Sequence, residues 1–436
     1  MGKLPLEGIR VVESGNAWTA PFITQTLGDL GAEVIKVETI LRWSGVWRGD
    51  PNVKEETIKG ALPFAFGGYV ERKPGKRPWN RLAIYNMGFR NKLGMTVDLG
   101  KPKGKEIFRR LIKVSDVFVE NNSAAVMERL GLDYENLIKI KPDLIMVRTQ
   151  GLGLTGPRRS WRTHGHQVDS LVGGMMLRGY FDVHFMMNAS IYLGDYITPM
   201  HCTFAILAAL HHRKKTGKGQ QIEAAATENS LPTAAEAFMD YVMNGRQQAT
   251  RENRDPLAAP QGCYRCKGED RWVNISITSD EEWKKFCRVI GNPAWTQEER
   301  FATSWGRWQD QDDLDKLIES WTSQHDHYAV MHLLQKVGVP AGPVLDPRDV
   351  YNDPHFKDRA FFEQCYQEDC GTHLYPGMIW KFSKTPLRIH KPPVRLGEHN
   401  EYVYKEVLGV SDDEYQELER EGHIGMDYAP QATIQK

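Results

Sequence analysis

The sequence predicts an α/β protein: a doubly wound, mostly parallel, Rossmann-like sheet in a large domain, joined to a smaller α+β domain. Three observations carry that expectation. Short apolar runs alternate with helix-period segments up to about residue 226, the character changes between 227 and 339, and a proline-rich stretch from 338 leads into the C-terminal part. With 436 residues the chain exceeds one ordinary core. The expected domains are therefore 1–226, 227–339, and a linker with a C-terminal segment over 340–436 that returns to the large domain.

In chain order, GIRVVES (8–14) reads as a buried strand, PFITQTLGDLG (21–31) as an amphipathic helix closed by glycine, and AEVIKVE (32–38) as a second strand. LGMTVDL (93–99), KGKEIFRRLIKVS (103–115), DVFVEN (116–121) and DLIMVRTQG (143–151) repeat the alternation. In YLGDYITPMHCTFAILAAL (192–210), Asp195 stands shortly before an apolar run. The spacing predicts a loop feeding a helix over Pro199–Lys215, with Thr198 as cap and Pro199 in the first turn. QIEAAA (221–226) reads as a strand. The smaller domain holds the helical ENSLPTAAEAFMDYVMNG, a strand pair in GCYRCKGEDRWVNISI, and tryptophan-bearing helices after Ser279. GVPAGPVLDPRDVYNDPHF (338–356) reads as extended, and DDEYQELEREG (412–422) as a closing helix.

Composition narrows the function. Lysine plus arginine and aspartate plus glutamate number 56 each, which argues against a general nucleic-acid or membrane-surface binder. The longest uninterrupted apolar run, Phe204 to Leu210, falls short of the roughly 17 residues of a membrane span. The N-terminus has no apolar signal core, and Leu6 stands where a myristoylation signal needs Ser or Thr, so a cytoplasmic location is expected. Six cysteines make no disulfide framework, and the single C-x-x-C pair, Cys263 and Cys266, lacks the companions of a zinc site, so no metal is expected. After the first strand Gly15 stands alone, where a dinucleotide pyrophosphate needs G-x-G-x-x-G. Phosphate-loop and serine-hydrolase motifs are missing from the sequence as well.

Several longer segments are more specific. PLEGIRVVESGNAWTAPFITQTLGDLGAEVIKVE, NKLGMTVDLGKPKGKEIF, SDVFVENNSAAVMERLGLDYENLIKIKPDLIMVRTQGLGLTGP, YLGDYITPMHCTFAILAALHHRKKTGKGQQIEAA, GVPAGPVLDPRDVYNDPHFKDR and LGEHN follow one another from Pro5 to near the C-terminus. Together they resemble the family III CoA-transferases of the carnitine and bile-acid type. The resemblance implies transfer of coenzyme A from an acyl-CoA donor, such as succinyl-CoA, to a free carboxylic acid. It also implies aspartyl anhydride and aspartyl-CoA thioester intermediates, and an interlocked dimer with a second copy or a related chain.

The resemblance assigns roles by position. Asp195 inherits the nucleophile's place, with Gly194 beside it allowing close approach to the thioester. Arg48, Lys92 and Arg129 align with cations that meet the nucleotide end of coenzyme A, Asn121 with a cofactor contact, and Leu130 with its wall. Asn122 replaces an aromatic of the family pattern. Trp18 and His166 depart from the pattern near the acyl group and suggest an aromatic or dicarboxylic substrate. No glycine-rich loop covers the nucleophile in sequence; NRDPLAAPQG (253–262) stands near its place. Two other readings keep the same fold: a 2-methylacyl-CoA racemase using a His and Asp pair, and a coenzyme A-binding subunit supporting an active paralogue.

Overall fold

Val11 and Val12 point to opposite faces of the first strand and both are fully buried, so this strand lies inside a sheet covered on both sides. In the computed structural model, which describes residues 3–61, 68–184 and 192–434, that strand is β1 (Arg10–Ser14). The helix α1 (Thr19–Asp29) returns the chain to β2 (Glu33–Glu38), and β3 (Lys92–Thr96) follows on the same side. After α2 (Pro102–Lys113) the chain crosses to the other side of β1 with β4 (Val117–Glu120), then α3 (Val126–Leu130) and β5 (Ile145–Arg148). The helices α4 (Gly165–Leu171) and α5 (Leu193–Thr216) precede β6 (Gln220–Glu223), and α6 (Ala226–Ser230) closes the series.

The sheet order is β3-β2-β1-β4-β5-β6, every pair parallel. The direction in which successive strands are added therefore reverses between β1 and β4, the switch point beyond whose carboxyl ends α/β proteins place their ligands. Alternate strand residues feed two cores. Val11, Val34, Val119 and Val147 pack with Ile23 and Leu27 of α1 and Cys202 and Ile206 of α5. Val12, Ile35, Phe118 and Met146 pack with Ile107, Phe108 and Leu111 of α2 and with Tyr404 and Leu418 near the C-terminus. By length and composition α5 could cross a membrane, yet Cys202, Ile206 and Ala209 are buried in the first of these cores.

The chain divides into two compact units. The first comprises Met1–Gly174, Ser190–Glu236 and Arg359–Lys436, and the second Met175–Ala189 and Ala237–Asp358. These limits differ from the sequence boundaries at 227 and 339 for structural reasons. The helix α6 packs beside α4 and α5 and stays with the sheet. In the second unit β7 (Gln261–Arg265), β8 (Trp272–Ser276) and β9 (Ala341–Val344) form one antiparallel sheet, which carries the unit past residue 339. The stretch read as extended is broken by helices at Pro347–Asn352 and Pro354–Asp358, the first opened by an Asp346 capping box.

The start of α5 also departs from expectation. The helix begins at Leu193, so Pro199 lies inside it and Thr198 is no cap. Proline cannot supply the amide that would bond the carbonyl four residues back, which here is that of Asp195. Packing overrides this: a Cβ on Gly194 would lie 2.5 Å from Ser230 Oγ and 3.0 Å from Val168 Cγ1, so the first turn is seated tightly on α4 and α6.

Candidate active site

Asp195 occupies the first turn of α5, its amide donating to the Tyr192 carbonyl at 2.9 Å. Tyr192, before it, holds a left-handed backbone (φ 49°, ψ 51°), a conformation that costs a bulky side chain roughly 1–2 kcal/mol. The Asp195 carboxylate lies against the glycine that opens α4: a Cβ on Gly165 would stand 2.6 Å from Asp195 Oδ2 and 2.4 Å from the Tyr192 ring. Burial and the neighbouring Asp169 push the Asp195 carboxyl up to about 6, against a hydrogen bond from Thr19.

Aromatic side chains cluster around Tyr196, the residue after this acid. Trp18 stacks on Phe22 with centroids 5.3 Å apart, meets Trp47 edge-on at 4.6 Å, and lies 5.9 Å from the ring of Tyr196. Trp18 is half-buried and Tyr196 is exposed. His166, exposed on α4, shares a hydrogen bond of 2.9 Å between Nε2 and the Tyr192 hydroxyl. His166 thus reaches Tyr192, three residues before Asp195, and Trp18 lies beside the ring of Tyr196, the residue after it.

A cleft of about 440 Å³ opens at the carboxyl edge of the sheet, where the segments leaving β1, β2, β3 and β4 diverge. Gly15, Asn16, Thr39, Asp98 and Asn122 line it, and Arg42, Arg129 and Arg162 bring three exposed guanidinium groups with no carboxylate partner among the described residues. Leu130 supplies apolar wall. Two segments of this cleft run on into the acid's surroundings: Asn16 leads to Thr19, and Arg162 to Gly165.

Three residues assigned to the cofactor from sequence stand outside the lining of this cleft and are engaged by internal partners. Arg48 is fully buried; its Nε donates to Glu38 at 3.0 Å, its Nη1 to Asn80 Oδ1 at 2.7 Å, and its guanidinium covers the Tyr85 ring. Lys92 is buried too, bonded at 2.8 Å both to Glu13 Oε2 and to the Pro21 carbonyl. Burial would raise the Glu13 carboxyl, but Lys36 and Lys92 hold it at about 2. Burial lowers the Lys92 ammonium to about 8 against the pull of Glu13. Both cations are committed to internal carboxylates and neither lines the cleft. Asn121 acts as a clamp: its Oδ1 accepts from the Asn16 amide at 2.9 Å and its Nδ2 donates to the Asn16 carbonyl. The cleft wall at this point is Asn122 instead.

Sequence reasoning missed Arg42 and Arg162. Arg42 opens the short strand Arg42–Trp43 in the segment leaving the carboxyl end of β2, a signal that strand polarity could have supplied. Arg162 sits in a loop with no local motif. The loop NRDPLAAPQG belongs to the second unit, where Arg254 is tied to Asp312 and Asp315. Among the described residues no group of three or more His, Cys, Asp or Glu could hold a metal ion.

Comparison with known proteins places this chain in a family. The sequence model of CoA-transferase family III matches residues 6–400. The chain is 31% identical to the succinyl-CoA–L-malate CoA-transferase beta subunit of Chloroflexus aurantiacus, over 95% of this chain and 97% of that protein. It is 30% identical to the succinate–glutarate CoA-transferase of Agrobacterium fabrum, over 93% of this chain and 96% of that protein. The crystal structure of a CAIB/BAIF family protein from Brucella suis superposes with a TM-score of 0.78 at 30% identity, covering 93% of this chain and all (100%) of that one.

Proposed function

Because the chain belongs to CoA-transferase family III and is thereby an acyl-CoA:carboxylate CoA-transferase, we propose that Asp195 carries the transfer as a covalent nucleophile. The observation that carries this reading is a half-buried carboxylate, raised to about 6, wedged against Gly165 on the first turn of α5 and next to an arginine-lined cleft.

The steps balance without an added reactant. A carboxylate oxygen of Asp195 attacks the donor thioester carbonyl and expels coenzyme A as thiolate, leaving an aspartyl anhydride. The thiolate then attacks the aspartyl carbonyl, releases the donor acid and forms an aspartyl-CoA thioester. The incoming carboxylate attacks that thioester and returns the thiolate, which takes the new acyl group from the second anhydride and regenerates Asp195. Each activated bond is conserved in the next one, so water must be kept away. A nucleophile near 6 is mostly ionised at pH 7, yet sits in surroundings dry enough to limit hydrolysis. The first-turn amides of Thr19 and Ala20 in α1, which have no intrahelical acceptor, are the proposed donors for the tetrahedral oxyanions; Pro21 carries none.

Arg42, Arg129 and Arg162 receive the phosphates of coenzyme A, with Asn122 and Leu130 as the adjoining wall. Succinyl-CoA is the proposed donor, on the names of the relatives. Trp18 and Tyr196 offer an aromatic surface for the body of the acceptor acid, and His166 a partner for a second carboxylate. The exposed apolar side chains on α5, Met200, Phe204 and Leu207, are covered by a second copy or a related subunit.

The test is intact-mass spectrometry after mixing with succinyl-CoA and trapping with hydroxylamine. The expected product is a hydroxamate at Asp195. Undiminished transfer by Asp195→Asn would overturn the reading, and α-hydrogen exchange with deuterated water in place of acyl exchange would favour the racemase.

A further inference from the structure

The arginine cleft raises a structural question: what fixes α3, which presents Arg129 and Leu130? At five residues α3 is too short to hold its own direction, since helix nucleation outweighs the few bonds formed. Met127 anchors one side of it in the core. The other side is tied by the buried guanidinium of Arg148 at the carboxyl end of β5, while Arg109 bonds only the carbonyl of its C-cap, Gly131.

Arg148 spans three elements. Its Nε donates to Glu120 Oε1 at 2.8 Å, its Nη1 to Glu128 Oε1 at 2.7 Å, and its Nη2 to the Ala124 carbonyl at 3.1 Å and Glu128 Oε2 at 3.3 Å. Glu120, fully buried at the end of β4, in turn accepts from the Asn122 amide at 2.7 Å and from Gln150 Nε2 at 2.9 Å. One cation therefore locks the turn after β4 and the helix that follows. It also occupies two carboxylates that would otherwise repel phosphate beside Arg129.

We propose that Arg148 is the positioning residue of the coenzyme A wall, acting through Glu128 to set the direction of Arg129. The proposal rests on the reading of the cleft as the coenzyme A site. It predicts coupling: once the α3 clamp is opened, Arg129 no longer points at the phosphates, and removing Arg129 as well has little further effect.

The experiment is a double-mutant cycle read by calorimetric binding of free coenzyme A to the full chain. Glu128→Ala is the clamp variant, because Glu128 is half exposed and its loss strands no buried carboxylate. Glu128→Ala and Arg129→Ala should each weaken binding about tenfold, and the double variant should be no weaker than Arg129→Ala alone. Arg148→Lys, which keeps the charge and loses the fork, should raise KM for acyl-CoA without raising KM for the acid. Additive single effects, or an Arg148→Lys enzyme with unchanged KM for acyl-CoA, overturn the proposal while the functional reading stands. A wild-type chain that binds no coenzyme A overturns both.

Discussion

At the residue scale the proposed nucleophile and the buried ion pairs near it answer to different tests. Asp195→Asn should lower transfer by roughly a thousandfold or more while raising the melting temperature, because a carboxylate pushed to about 6 by burial opposes folding when ionised. The stabilisation is on the order of 1–2 kcal/mol at pH 7 after allowance for partial exposure, and paired calorimetric and activity measurements check it. The pH dependence has a definite sign. With a folded-state value above the ordinary carboxylate range, this group makes the native state lose stability as pH rises from about 4 to about 6, and the acylation rate climbs through the same upper limit. The asparagine variant loses that stability slope. Lys92→Met should behave oppositely to a cofactor-contact variant: it leaves Glu13 buried beside Lys36 alone and costs about 3–5 kcal/mol by chemical denaturation.

At the element scale the loop joining β1 to α1 decides the site. Gly15 there meets Ala20 and Asn121 so closely that a Cβ would lie 2.5 Å and 3.0 Å from their atoms, and Ala17 beyond it is left-handed at φ 57°. Asn121→Ala frees this loop at Asn16, so kcat should fall about tenfold or more with the unfolding midpoint nearly unchanged. Gly165→Ala should act more sharply, since its methyl enters the space of the Asp195 carboxylate and the Tyr192 ring; steady-state kinetics should show a loss of about a hundredfold or more. The sheet itself was legible in the sequence because its buried strands read as short apolar runs between glycine and polar breaks, and β1, β2 and β4 fall where those runs stand. The start of α5 was not, because Pro199 signals a first turn and only the packing of Gly194 on Ser230 and Val168 reveals an earlier one. Motif spacing names Arg48 and Lys92 as cations but is silent on Glu38 and Glu13, the partners that bury them.

At the scale of the whole molecule, the uncovered apolar row of α5 calls for a neighbour. Sedimentation should report a mass above that of one chain, and Phe204→Glu, which places a charge on the most exposed of those side chains, should return the monomer. A hydrodynamic radius unchanged by the substitution would remove α5 from the interface. The raised carboxyl of Asp195 also ties the catalyst to the fluid around it. Each step downward toward pH 6 protonates a larger share of its carboxyl, so under the proposed role transfer assayed in buffers of falling pH should slow across that interval and recover when the pH is restored.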